Sequence, residues 1–287
     1  MPSLRKMIPE WVKAPTRGVI ESYRQSTSGA RPLPHFLIVG AQKAGTSSLY
    51  SYLRQHPQLY TSYQKEVHFF DGGLNPTEDN FEKGAAWYQS NFPPKSGMDA
   101  GSKVFEASPL YFGNPLVPKR IFDLLPEIKL IVILRNPTER AISQYFMEYR
   151  KGRESLPIME ALLAEEDRLK PFLAAGDYKS PIFMYHSYKL RGLYKQQLER
   201  YLEYFPKKQM LIMSSEWFFS HPEQALEKVF RFVGVDVGFK VEDLKPRNVA
   251  KNKKNTDPDV SQYLNDYFLP HNQDLYQLVG EDYGWEH

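Results

Sequence analysis

The residues with the most chemistry to offer lie in Phe36-Leu-Ile-Val-Gly40-Ala-Gln-Lys43-Ala-Gly45-Thr46-Ser47-Ser48-Leu49. Gly40 and Gly45 bracket a four-residue loop that carries Lys43, and three hydroxyls follow in a row. A glycine loop between a strand and a helix aims several backbone N–H groups, and the positive end of the helix dipole, at one point. The glycine spacing is that of the nucleotide phosphate loop, G-x-x-x-x-G-K-[ST]. Here, however, Thr46 occupies the lysine position and the cation sits inside the loop at Lys43. A glycine loop alone also describes a tight strand-to-helix turn; the displaced lysine and the hydroxyl run favour anion binding. A second stretch, Lys65-Glu66-Val67-His68-Phe69-Phe70, sets two ionisable side chains two residues apart among aromatics. In an extended segment Glu66 and His68 point to one side, where neighbouring rings would desolvate them and shift their pKa values. Taken alone, the stretch reads better as a surface turn with a solvated Glu66 and a hydrogen-bonded His68. The third stretch is Arg135-Asn136-Pro137, directly after an apolar run. A nucleotide triphosphatase usually places a Mg²⁺-binding aspartate there, whereas Arg135 offers a guanidinium fork suited to a phosphate. Ser143, about two helical turns on, can donate to the same group. The plainer readings are a salt bridge to a neighbouring helix for Arg135 and a solvent-facing hydroxyl for Ser143.

These residues need a scaffold, and the apolar pattern supplies one. Phe36 to Val39, Lys129 to Leu134 and Gln209 to Met213 read as short buried strands, and Lys103 to Pro109 as a strand ending in a turn. Helices are predicted from Thr46 to Gln55, around Trp87, from Pro115 to Leu125, from Thr138 to about Tyr149, and from Pro157 to Leu169. Further helices are predicted from Tyr185 to Phe205, Pro222 to Val233 and Asp259 to Val279. Strands alternating with helices imply an α/β fold, a P-loop-type central parallel β-sheet flanked by helices on both faces. Ligands bind such sheets at the carboxyl ends of the strands. Residues 1–33 read as a loosely attached N-terminal arm, although Trp11, Val12, Val19, Ile20 and Tyr23 could form a short helix; residues 34–287 read as one domain. The dense basic run from Lys245 to Asn255 is either a solvated loop or a loop that returns to the anion site, with Lys251 and Lys253 as its contacts.

Composition narrows the class. The 287 residues are 41% hydrophobic, enough for a sizeable core, and the net charge of +3 argues against a nucleic-acid coat protein. There are no cysteines, which excludes disulfides, thiol catalysis and cysteine-ligated metals. No apolar run approaches the ~20 residues of a membrane span, and the N-terminus lacks a signal-peptide core. The expectation is a cytoplasmic protein without an integral membrane segment or a nucleic-acid partner.

Two phosphate-like groups, one at the loop and one at Arg135 and Ser143, with no metal-binding acid beside them, suit metal-free transfer of a singly charged group. Four segments carry a resemblance: Gly40 to Leu49, Glu66-Val-His68-Phe-Phe70, Glu106-Ala-Ser108-Pro-Leu-Tyr-Phe112, and Leu134-Arg135-Asn136-Pro-Thr-Glu-Arg140-Ala-Ile-Ser143-Gln-Tyr145. In that order and spacing the chain resembles sulfotransferases that use 3′-phosphoadenosine 5′-phosphosulfate (PAPS), in the branch of the heparan sulfate glucosamine sulfotransferases and their bacterial relatives. The resemblance implies that Lys43, Ala44, Gly45, Thr46, Ser47 and Ser48 hold the 5′-phosphosulfate, with Lys43 assisting catalysis, and that Arg135 and Ser143 hold the 3′-phosphate. It also implies that Glu66 is the base, that His68 stands beside it in the acceptor site, and that Tyr194 lines the donor cleft. The acceptor it implies is a hydroxyl of a sugar, glycolipid or related metabolite. Ala107 stands where that branch often has a lysine, and the cysteine pair and Lys-Gly-Arg loop of the animal enzymes are missing, which points to an acceptor other than heparan sulfate. The competing readings are a small-molecule kinase and a non-catalytic protein that binds adenosine 3′,5′-bisphosphate.

Overall fold

The computed structural model describes residues 10–248 and 257–285, with side chains from residue 18 onward. Lys251 and Lys253 lie outside the described residues.

Five strands form one sheet: β1 (Phe36–Gly40), β2 (Leu59–Thr61), β3 (Lys103–Ala107), β4 (Lys129–Leu134) and β5 (Met210–Ser214). Their order is β2-β3-β1-β4-β5 and every pairing is parallel. β1 is buried along its whole length and β4 from Leu130 on. That is why both read as unbroken apolar runs: a parallel sheet covered on both faces leaves no solvent side to alternate toward. The chain leaves β1 for the β2–β3 side and then crosses to β4 on the other side. The order therefore reverses around β1, and a crevice opens at the carboxyl ends of β1 and β4. Gly40 is in register with Val132, so the two strand ends lie side by side.

The helices are α1 (Glu10–Ser26), α2 (Thr46–Leu53), α3 (Gly84–Gln89), α4 (Val117–Leu124), α5 (Pro137–Arg150), α6 (Ile158–Leu163) and α7 (Glu165–Ala175), followed by α8 (Pro181–His186), α9 (Tyr194–Leu202), α10 (Ser215–Ser220), α11 (Pro222–Val233) and α12 (Pro258–Val279). The element that positions the site, α5, starts where its sequence says it should. The Asn136 side chain accepts from the N–H of Glu139 and Pro137 takes the first helical position. A second, smaller core joins α5 to α6 and α12 through Ile142, Tyr145, Leu162, Leu264 and Phe268.

Two expectations are corrected. The helix predicted from Pro157 to Leu169 is two helices, α6 and α7, that part at Ala164. The long helix predicted from Tyr185 to Phe205 is α8, a 3-10 turn over Leu190–Gly192, and α9. One residue links both breaks. The Glu165 carboxylate is buried and accepts the N–H groups of Lys189 and Leu190, satisfying donors that a continuous helix would have bonded internally. The N-terminal stretch is helical from Glu10. Val19, Ile20 and Tyr23 are exposed, while Arg24 stacks on Tyr63 and buried Arg31 donates to the Phe92 carbonyl at 2.6 Å. Among the described residues no helix is long and apolar enough to cross a membrane.

Candidate active site

β1 runs straight into the glycine loop. A Cβ on Gly40 would meet Phe112 Cβ at 2.4 Å, so only glycine fits beside the turn after β3. The loop ends at Gly45 with φ of 104°, and Lys43 is itself left-handed with φ of 72°. This reversal leaves the N–H groups of Lys43, Gly45, Thr46 and Ser47 with no backbone acceptor among the described residues, because the bonds at the start of α2 begin with Ser48. Ala44, Thr46 and Ser48 are buried, and Ser47 is partly open. A ring of unused donors at a helix start is an anion cradle in physical terms.

Cations surround it. Burial lowers the Lys43 pKa, and the charges of Arg150, Arg135 and Lys151 lower it further. Sequence reasoning passed over Arg150 and Lys151, which lie at the far end of α5 and beyond. Arg135, at the end of β4, donates to the Lys43 carbonyl at 3.2 Å and pairs with Glu139 at 2.7 Å. The salt bridge of the plain reading is thus present, made to the helix that follows β4, and Arg135 also touches the loop. Tyr194 is buried, and its hydroxyl donates to the Arg135 carbonyl at 2.8 Å. It fixes the turn that carries Arg135. Ser143 is buried on α5 and shares no bond with Arg135. The start of the basic run does return to the loop: the Arg247 N–H donates to Ser48 Oγ at 2.9 Å and Asn248 to Ser47 Oγ at 3.2 Å.

The Glu66–His68 pair stands beyond the neighbouring strand. β3 pairs directly with β1, and the Glu66 N–H donates to the Ala107 carbonyl at the end of β3. The two residues share a side, but not because the segment is extended. Both are left-handed, with φ of 63° and 53°. The backbone that follows hangs on hydroxyls: His68 N–H donates to Ser108 Oγ at 3.4 Å and Phe69 N–H to Tyr111 Oη at 2.8 Å. Ser108 and Tyr111 both donate to Glu106, a fully buried carboxylate whose pKa burial raises. Glu106 therefore acts at a distance, holding the hydroxyls that hold the pair.

His68 also has a partner that sequence reasoning missed. Its Nδ1 lies 2.7 Å from Asp71 and its Nε2 3.6 Å from Glu66. Burial pulls the His68 pKa down, but the bonds and charges of the two carboxylates prevail and raise it to about 10. Burial pushes Glu66 the other way, yet His68 and Lys65 hold it at about 2. The resting site is thus an imidazolium clasped by two carboxylates. Of the three, only Glu66 is accessible, at 37% against 7% for His68 and 6% for Asp71. The signal for Asp71 was available as Glu-x-His-x-x-Asp, a carboxylate three residues from the histidine.

The backbone marks the same place independently. Among the described residues the non-glycine positions with positive φ are Lys43, Glu66, His68 and Asn248. Three belong to the loop and the pair, and the fourth bonds to Ser47. Such conformations cost on the order of 1 kcal/mol or more each and concentrate where function requires them.

Comparison with known proteins agrees with this geometry. The model of the sulfotransferase domain matches residues 33–267. Human heparan sulfate glucosamine 3-O-sulfotransferase 6 is 33% identical over 282 residues, covering 91% of this chain and 76% of that protein. Human heparan sulfate glucosamine 3-O-sulfotransferase 3B1 is 31% identical over 283 residues, covering 91% and 67%. The crystal structure of a sulfotransferase from Alicyclobacillus acidocaldarius superposes with a TM-score of 0.72 at 31% identity, covering 89% of this chain and all of that one. Similarity of this extent leaves one assignment: the chain belongs to the sulfotransferase family.

Proposed function

We propose that this sulfotransferase moves a sulfuryl group from PAPS to a hydroxyl of a carbohydrate or a related acceptor. The observation that carries the reading is the juxtaposition at adjoining strand ends of a donor-lined loop with its lysine, after β1, and an accessible carboxylate on a fixed imidazolium, in the segment after β2 that bonds to the end of β3. The residues present fit the donor, since the loop N–H groups and the Lys43–Arg135 pair are a receptor for phosphate oxygens. When bound, the donor supplies a sulfuryl group on a phosphate leaving oxygen. The loop from Lys43 to Ser48 would hold that end, and Arg135 with Ser143 the 3′-phosphate. During transfer the S–O bond to phosphate breaks, the S–O bond to the acceptor forms, and the acceptor proton passes to Glu66. Lys43 and the loop donors meet the charge that grows on the leaving oxygen. Glu66 is ionised at rest, but His68 and Lys65 make it a weak base there; negative charge brought beside it raises its pKa and makes it a stronger one. His68, oriented by Asp71, fixes the Glu66 carboxylate. A carbohydrate acceptor is supported by the relatives, whose names specify 3-O-sulfation of heparan sulfate glucosamine.

Two rival readings lose ground at named residues. A kinase needs an acid where β4 ends in Arg135, and a binding protein has no use for the Glu66–His68–Asp71 array. The test is thermal denaturation without added metal. Adenosine 3′,5′-bisphosphate should raise the melting temperature, because a ligand bound only by the native state stabilises it, and ATP should do much less. Equal stabilisation by ATP with Mg²⁺ would favour the kinase.

A further inference from the structure

Helix α1 turns its apolar side away from the protein. At ~100° per residue, Trp11, Val12, Val19, Ile20 and Tyr23 fall on one half of the helix, and Lys13, Arg17 and Arg24 fall together on the other. A helix patterned this way ordinarily buries its apolar half against a core. Here Val19, Ile20 and Tyr23 are 70%, 46% and 63% exposed. Contact with the domain is made from the basic half instead. The Arg24 guanidinium lies 3.7 Å from the centre of the Tyr63 ring, and from Gly18 to Ser26 every residue but Arg24 is exposed. Arg31 donates to Thr27 Oγ1 at 3.1 Å and to Tyr63 Oη at 2.8 Å, which ties the end of the helix to the same ring.

Charge says what covers that face. Residues 1–26 contain five Lys or Arg and two Glu, so the whole of the chain's net charge of +3 lies in this stretch and the remainder is neutral. An anionic partner is attracted to such an arm, whereas a second copy of the chain would bring two positive arms together. The helix is not built to span a bilayer, because Glu10, Lys13, Arg17, Glu21 and Arg24 interrupt it every three or four residues. An apolar half carrying a tryptophan and a tyrosine, with a basic band beside it, is instead the pattern of a helix that lies among lipid headgroups.

We propose that α1 is a membrane-surface helix that docks the protein on a bilayer containing anionic lipid. Val19, Ile20 and Tyr23 enter the boundary between headgroups and acyl chains, and Lys13 and Arg17 meet the lipid phosphates. The mooring of the helix, Tyr63, stands three residues before Glu66, so the docked surface adjoins the segment that carries the catalytic carboxylate. The docking is independent of what the site transfers.

Co-sedimentation of the full chain with vesicles tests this, phosphatidylcholine alone being compared with an equimolar mixture of phosphatidylcholine and phosphatidylglycerol. Wild type should bind the anionic vesicles about tenfold or more tighter, at roughly fivefold per basic residue engaged, and less tightly as salt is raised. Val19→Ser with Ile20→Ser should cut that binding about tenfold or more and leave the melting temperature unchanged, because both side chains are exposed. Lys13→Gln with Arg17→Gln should remove most of the preference for anionic vesicles. Wild type that stays in the supernatant with both kinds of vesicle overturns the proposal, and that arm depends on no variant. Anionic binding that survives both double variants overturns it as well, since another basic surface then carries it. A wild-type dimer in sedimentation velocity that Val19→Ser with Ile20→Ser dissociates assigns the face to a second copy and overturns it too.

Discussion

Replacing Asp71 by Asn isolates the charge that sets the state of His68. The wild-type imidazole is bonded to Asp71 at 2.7 Å and faces Glu66 at 3.6 Å, and its pKa stands at about 10. An unfolded histidine titrates near 6.5. A folded pKa above the unfolded one stabilises the protein fully below about pH 6.5, and that stabilisation is lost as pH rises toward about 10. The slope is at most about 1.4 kcal/mol per pH unit, so a window of about 3.5 units sets a ceiling near 5 kcal/mol. Asparagine keeps the size and one acceptor oxygen but removes the charge. The expected loss is therefore about 2–4 kcal/mol near pH 6.5, shrinking to below about 1 kcal/mol at pH 10. Urea denaturation of both proteins across pH 6–10 reads the difference, and the NMR titration of the His68 ring reads its cause. A wild-type His68 that titrates near 6.5, or a destabilisation that does not change with pH, would refute the reasoning.

Arg135→Ala removes the fork that joins β4 to the loop. It should weaken adenosine 3′,5′-bisphosphate binding by about 1.5–3 kcal/mol, roughly ten- to hundredfold by calorimetry, with a smaller effect on the bound complex, because the 3′-phosphate is unchanged during transfer. Gly40→Ala forces a methyl group against Phe112 and should destabilise the fold by about 1–3 kcal/mol in thermal or urea denaturation.

What the sequence revealed, and what it hid, follows from how local each cause is. β1 and β4 were legible because strands buried on both faces have only apolar residues to show. The loop was legible because Gly40 and Gly45 answer to backbone geometry within the stretch itself. The break between α8 and α9 was not, since Leu190, Leu193 and Leu198 keep helical spacing across it while its cause, Glu165, lies in a different helix. The pairing of Glu66 and His68 was foreseen, but through the wrong backbone: tethers from Ser108 and Tyr111, about forty residues on, hold left-handed residues that alternation cannot anticipate. Asp71 went unnoticed for a related reason. A carboxylate or guanidinium becomes a site residue only through what faces it, and those partners come from other elements.

The central claim is that Glu66 takes the acceptor proton while Lys43 and its loop hold the leaving phosphate. Single-turnover reaction of wild type and Glu66→Gln, with PAPS saturating and product followed by mass spectrometry, tests it most directly. Wild type should add one sulfuryl group to a carbohydrate hydroxyl and release one adenosine 3′,5′-bisphosphate for each. Glu66→Gln should bind the donor as tightly and transfer roughly 10²–10⁴-fold more slowly. A variant rate within a few-fold of wild type, or a wild-type enzyme that leaves PAPS unspent across acidic and neutral carbohydrates, would contradict the account.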